Sequence, residues 1–148
     1  MNGYDKSVFL ADDDLDDCLL FEEALMELSS TVKLTTANDG IELMHILDKK
    51  VPPVPNVIFL DLNMPKKNGF ECLTEIRAAR KFKHIPVVIL STSSESDYIN
   101  KVYDQGADYY LCKPNNFAKL KKAISMVLDI NWKNHTAQPS REQFLIVV

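Results

Sequence analysis

Apolar residues fall along this chain in two alternating rhythms. Ser7-Val8-Phe9-Leu10-Ala11 is a short apolar run that stops in acid, and Cys18, Phe21, Leu25 and Leu28 follow at helical spacing. The pair predicts a strand and then an amphipathic helix. Val32 to Ala37 is β-branched enough for a second strand, and Asn38-Asp39-Gly40 turns it into a helix carrying Ile41, Met44 and Leu47. Prolines 52, 53 and 55 end that helix before Val57-Ile58-Phe59-Leu60, an all-apolar run of the kind buried on both faces of a sheet. A helix over 68 to 80 shows Phe70, Leu73 and Ile76 on one side, and Pro86 opens the strand Val87-Val88-Ile89-Leu90. A weaker helix near 95 to 105, a strand from Asp108 to Cys112 and a helix with Phe117, Leu120, Ile124 and Val127 on one face complete the pattern.

Five strands alternating with five helices predict βαβ units and a parallel sheet covered on both sides. Ligands in such sheets sit beyond the C-terminal ends of the strands, near the switch in strand order. That location collects Asp12, Asp13 and Asp14 after the first strand, Asp61 after the third, Ser91 and Thr92 after the fourth and Lys113 after the fifth. If the strand order is 2-1-3-4-5, Asp61 is flanked by the acids on one side and the hydroxyls on the other, at strand spacings of about 4.8 Å. Lys113 then lies two strands off, a gap of roughly 10 Å that a lysine side chain can largely cross.

Length and charge narrow the classes. The 148 residues, 46% hydrophobic, suffice for one cored domain and not for two ordinary ones. A net charge of −4 with scattered Lys and Arg gives no broad basic face for nucleic acid. No apolar run approaches the roughly 20 residues of a membrane span, and the N-terminus reaches acid before a signal-peptide core forms, so a cytoplasmic protein without membrane insertion is expected. Cys18, Cys72 and Cys112 are widely spaced and fit reduced core cysteines. His45, His84 and His135 lack ligand spacing, and Trp132 is expected to anchor the tail.

Carboxylates gathered at one sheet edge repel one another, and a hard divalent cation holds them charged; an oxygen-only donor set with room for water suits Mg²⁺. Asp13 and Asp61 are the expected direct ligands, Asp12 a ligand through water, and the backbone carbonyl of Asn63 a further one. Asp14, Asp16 and Asp17 are expected to be solvent and helix-N-terminal acids. With a cation bound, the Asp61 carboxylate can attack phosphorus and form an acyl phosphate, with Lys113 pairing with one phosphoryl oxygen and the Ser91 hydroxyl donating to another. The bland alternatives are a solvated acidic face, a lysine that merely ends a strand and a serine that caps a turn.

Phe9 to Asp14, Val57 to Gly69, Pro86 to Ser91 and Gly106 to Pro114 resemble, in order, the four signature stretches of response-regulator receiver domains, over residues 6 to 129. The resemblance implies a flavodoxin-like, doubly wound (βα)5 fold with a five-stranded sheet, and phosphoryl transfer from the phosphohistidine of a sensor histidine kinase or a phosphotransfer protein. It marks Asp12 and Asp13 as the acid pair, Asp61 as phosphoacceptor, Ser91 as the switch hydroxyl, Tyr110 as the switch aromatic and Lys113 as the phosphate-binding lysine. It further implies self-catalysed loss of the phosphoryl group and a cis Lys113–Pro114 bond. Leu90-Ser91-Thr92-Ser93 and the acid-rich first helix are similar to small stand-alone regulators of the chemotaxis and phytochrome-partner types, with Asp14 adding charge where that pattern usually has none.

Rival functions meet specific obstacles. Phosphatases and phosphotransferases of the haloacid-dehalogenase kind phosphorylate an aspartate after a parallel strand but place an acid/base aspartate two residues on, where this chain has Asn63. An FMN carrier would offer hydroxyls, not three acids, in the first loop, and no G-x-G-x-x-G follows the first strand. Residues 1–129 are therefore read as a receiver domain and 130–148 as a tail without an effector domain. Information is expected to leave through a face made of the helix at 95 to 105, the Tyr110 strand and the last helix, towards a downstream protein or a second copy as a homodimer. The tail ends in Phe144-Leu145-Ile146-Val147-Val148, an apolar segment that calls for cover by its own body, a second copy or a partner.

Overall fold

The computed structural model describes residues 6–132 and 138–148; His135 lies outside them. Strands β1 (Lys6–Ala11), β2 (Val32–Ala37), β3 (Val57–Leu60), β4 (Val87–Ser91) and β5 (Tyr109–Cys112) alternate with helices α1 (Leu15–Leu28), α2 (Gly40–Lys50), α3 (Gly69–Ala78), α4 (Ser96–Asp104) and α5 (Phe117–Leu128). A short helix α6 (Arg141–Phe144) and a strand β6 (Leu145–Ile146) follow. All strands are parallel, in the order β2-β1-β3-β4-β5-β6. The flavodoxin-like doubly wound fold and the order 2-1-3-4-5 hold, but the sheet has six strands rather than five. A two-residue strand after a polar linker carries no alternation long enough to read, which is why the sixth was not foreseen.

The apolar runs are explained by the pleat. Alternate residues of a strand face opposite sides, so Phe9, Ile58, Leu60, Ile89 and Tyr110 join a core with α2, α3 and α4. Val8, Leu10, Val57, Phe59, Val88, Leu90 and Leu111 join a second core with α1 and α5. Both faces are covered, so no polar position interrupts β3 or most of β4. Burial also pushes the Cys18 thiol up to about 11 and Cys72 up to about 12, as inert core thiols require. On α2 the core stripe is Leu43 and Leu47, while Ile41, expected inside, is 53% exposed. At about 100° per residue, Ile41 lies on the side of the helix opposite Leu43.

Side-chain caps fix where helices start, and so where the loops around the site begin. Asp14 accepts from the Asp17 N–H, Asp39 from Glu42 N–H, and Asn116 from Lys119 N–H, while Asn68 and Glu71 form a reciprocal capping box. The cap residue of α4, Glu95, makes no such bond. Trp132, just beyond α5, packs edge-on against Tyr109 of β5 at 5.9 Å. No helix among the described residues is long and apolar enough to cross a membrane.

Candidate functional site

Backbone hydrogen bonds carry the strand ends into the loops that hold the site. Asp12 N–H donates to the Ala37 carbonyl at 3.0 Å, and Asp61 N–H to the Ala11 carbonyl at 2.9 Å, so the acids after β1 and β3 are positioned by the sheet itself. Lys113 N–H likewise donates to the Ser91 carbonyl at 2.8 Å, tying the lysine loop to the end of β4. Gly69, at the start of α3, approaches Asp61 so closely that a Cβ there would run into the Asp61 carbonyl oxygen.

Carboxylate oxygens of Asp12, Asp13 and Asp61 lie within 4.8 Å of one another; Asp12 and Asp61 are buried and Asp13 is exposed. Lys113 reaches this cluster across the sheet, its ammonium 2.8 Å from Asp12, 2.9 Å from Asp17 and 3.4 Å from Asp61. Burial works against the charge on Lys113, but its bonds to Asp12 and Asp17 and the charge of Asp61 outweigh it and raise its pKa. Burial pushes Asp61 up to about 6; Asp12 adds to the rise, and Lys113 and the Asn63 N–H oppose it. One cation shared by three carboxylates leaves an excess of negative charge, and the donors are hard oxygens with one side open to solvent. That set fits a divalent metal.

Six of the seven expected site residues lie along the C-terminal edge: Asp12, Asp13, Asp61, Lys113, Asn63 and Ser91. Asn63 is exposed, and its N–H is 3.5 Å from Asp61 Oδ1. Ser91, fully buried at the end of β4, accepts from the Ser93 N–H at 3.2 Å. Tyr110, the seventh, sits back in the core with its hydroxyl donating to the Ser93 carbonyl at 2.7 Å. Burial raises its phenol pKa, against hydrogen bonding to Ser91 and Ser93. The Lys113–Pro114 bond is a correction: the cis bonds among the described residues are Val51–Pro52 and Pro52–Pro53, and Lys113 reaches the acids from a trans peptide because its long side chain spans the gap.

Sequence reasoning missed Asp17. Assigned to the solvated start of α1, it is an ion-pair partner of Lys113, 96 residues away in sequence. Asp14 at the N-cap puts Asp17 in the first turn of the helix, and nothing local announces the distant lysine.

A family model described as response regulator receiver domain matches residues 8–125. The chain is 36% identical over 123 residues to response regulator Rcp1 of Synechocystis sp., covering 80% of this chain and 84% of that one. The fold is similar to the phosphorylated cyanobacterial phytochrome response regulator RcpA, with a TM-score of 0.79, 35% identity and coverage of 91% and 99% of the two chains. It is also similar to the Mn²⁺-bound form of Rcp1, with a TM-score of 0.74, 34% identity and coverage of 91% and 99%.

Proposed function

This chain belongs to the response regulator receiver domain family, and from that premise we propose that Asp61 is its phosphoacceptor, with Mg²⁺ as the metal and a phosphohistidine as donor. The observation that supports this most is the convergence of Lys113 on Asp61, two strands away, and on Asp12, three strands away, next to the exposed Asp13. Asp13 and Asp61 would hold Mg²⁺ directly, Asp12 through water and Asn63 through its carbonyl. Bound there, the metal supplies charge neutralisation for the phosphoryl oxygens.

The protein's own groups account for the rest. An Asp61 carboxylate oxygen attacks phosphorus; the P–O bond forms as the P–N bond to the donor imidazole breaks, and the imidazole leaves with the electron pair. Lys113, already at 3.4 Å, needs only to trade a carboxylate for a phosphoryl oxygen. Positioning and electrostatics of this sort are most of what phosphoryl transfer requires. Asn63 stands where an acid/base aspartate would be needed to drive repeated turnover, so the phosphorylated protein acts as a signal. Ser91 donates to the phosphoryl group and Tyr110 relays the change to the α4, β5 and α5 face, where a downstream protein or a second copy reads it.

Intact-mass measurement after incubation with acetyl phosphate and Mg²⁺ tests the assignment. The wild type is expected to gain one phosphoryl group and Asp61→Asn none; equal labelling of the two proteins would end the reading. Asp13→Asn should label more slowly and bind Mg²⁺ more weakly by calorimetry.

A further inference from the structure

Without its C-terminal segment, this sheet would end at β5, with a row of unpaired N–H and C=O groups at its edge. Residues 138–148 close that edge. Leu145 and Ile146 pair in parallel with Tyr110 and Leu111. The segment also grips α4: the Tyr103 hydroxyl donates to the Pro139 carbonyl at 2.7 Å, and the Arg141 guanidinium donates to Asn100 Oδ1 at 2.7 Å. The Gln138 amide donates to the carbonyls of Tyr103 at 2.7 Å and Ala107 at 2.6 Å. Phe144, with no exposed surface, lies edge-on to Tyr103 at 5.0 Å and tilted against Tyr110 at 6.3 Å. These contacts fall on the elements assigned above to output.

We propose that residues 138–148 are a tethered ligand of the α4–β5 edge, and that their docking favours the phosphorylated state by holding the Tyr110 ring inside the core. The docking half stands on contacts alone; the coupling half rests on Asp61 being the phosphoacceptor. The recognition is β-augmentation led by an aromatic residue, with main-chain pairing to β5 and Phe144 as the anchor. Tyr110 is fully buried, its hydroxyl on the Ser93 carbonyl, and Ser93 N–H in turn donates to the Ser91 hydroxyl. A Tyr110 ring leaving the core would have to move towards the open side of β5, which Phe144 and β6 fill. The docked tail therefore excludes the outward ring. Phosphorylation, by drawing the Ser91 hydroxyl to the phosphoryl group, favours the inward ring as well. Two events that favour one arrangement strengthen each other, and the coupling is reciprocal. A partner reading this face meets the tail first and binds over it or displaces it.

Hydrogen exchange of the full-length chain, read by mass spectrometry before and after acetyl phosphate and Mg²⁺, tests both halves, with the intact mass of the same sample reporting the label. Phe144→Ala should speed exchange across residues 140–148 and β5 by about fivefold or more, with α1 and α2 unchanged. Should that variant lose stability globally, Tyr103→Phe, which keeps the ring and removes only the bond to Pro139, should speed the tail alone. Labelled wild type should exchange the tail more slowly than unlabelled by a similar factor. Unchanged tail exchange in both variants overturns the docking; a labelled protein whose tail exchanges as before overturns the coupling while leaving the phosphoacceptor standing. Absence of the label overturns the phosphoacceptor reading and the coupling with it, but not the docking. A doubled mass by light scattering, with the tail protected only in the doubled species, would assign the ligand to a second copy and overturn the tether.

Discussion

Asp61 shows how a single carboxylate is buried at the expense of the fold. Buried beside Asp12 and sharing one lysine with Asp12 and Asp17, it is pushed up to about 6 from an ordinary value of 3.8. A raised acid pKa means that the folded protein binds a proton the unfolded chain has already lost. The contribution of Asp61 to metal-free stability should then be fullest below about pH 4 and be lost as pH rises through about 6. Asp61→Asn removes the buried charge, so it should stabilise the metal-free protein at pH 7.5 by about 1–2 kcal/mol and by almost nothing at pH 4. Urea unfolding in chelator at the two pH values measures this, and an equal effect at both would contradict it. Metal binding and labelling need the carboxylate and should weaken as pH drops below 6. Asp17 belongs to the same balance: it is the most exposed of the three Lys113 partners, so it is the one an arriving phosphoryl oxygen replaces with least loss.

Elements are held to one another by a few polar side chains as well as by the core, and Arg77 on α3 is the chief of these. Its guanidinium donates to the carbonyls of Gly106, Lys83 and Ile85 at 2.9, 3.1 and 2.8 Å and pairs with Asp108 at 2.9 Å. It thereby fastens the end of α3 and the approach to β4 to the α4–β5 loop, where Gly106 takes a φ of 99° that other residues resist. Burial lowers the Arg77 pKa, against the pull of Asp108. Arg77→Met should destabilise the protein by about 2–4 kcal/mol, because three carbonyls lose their donor and Asp108 loses its cation. Urea unfolding measures the loss, and labelling of Asp61 should survive below the transition. None of this network was legible in the sequence, since its partners lie up to 31 residues apart in irregular segments. What was legible had a period or a boundary: β3 and β2 were read to the residue because apolar or β-branched runs end abruptly there. Asp12, Asp61, Ser91 and Lys113 could be gathered because parallel strands send all their C-terminal ends one way. Ile41 misled because it and Leu43 are both apolar yet about 200° apart on the helix, so the spacing offers two faces and does not say which is buried. The Asp17–Lys113 pair was hidden because a side chain's direction across the sheet has no sequence signature.

At the scale of the molecule, the sheet is finished asymmetrically. The β2 edge carries Lys33, and its strand is only partly buried, a polar edge of the kind that resists pairing with other chains. The β5 edge is central to the fold, with Tyr110 and Leu111 buried, and is protected by covering rather than by charge. The covering also follows the pleat: Phe144 and Leu145 pack with the α3–α4 core, Ile146 and Val148 with the α1–α5 core, and Val147 is 77% exposed. A tail laid down in this way contributes apolar burial to both layers at once. Deleting residues 143–148 removes one buried aromatic ring and several partly buried aliphatic side chains, and should destabilise the protein by about 2–4 kcal/mol, less than a core deletion of that size because a terminal site can close over. It also leaves β5 as a flat, apolar, unpaired edge. The truncated protein is therefore expected to associate in a concentration-dependent way through that edge, while the Asp61 pocket, built at the C-terminal ends of β1 and β3 two or more strands away, is expected still to accept a phosphoryl group. Light scattering over a concentration series, with intact mass after acetyl phosphate, reads both consequences. A truncated protein that stays monomeric at every concentration and unfolds at the wild-type urea midpoint would mean that β5 needs no cover.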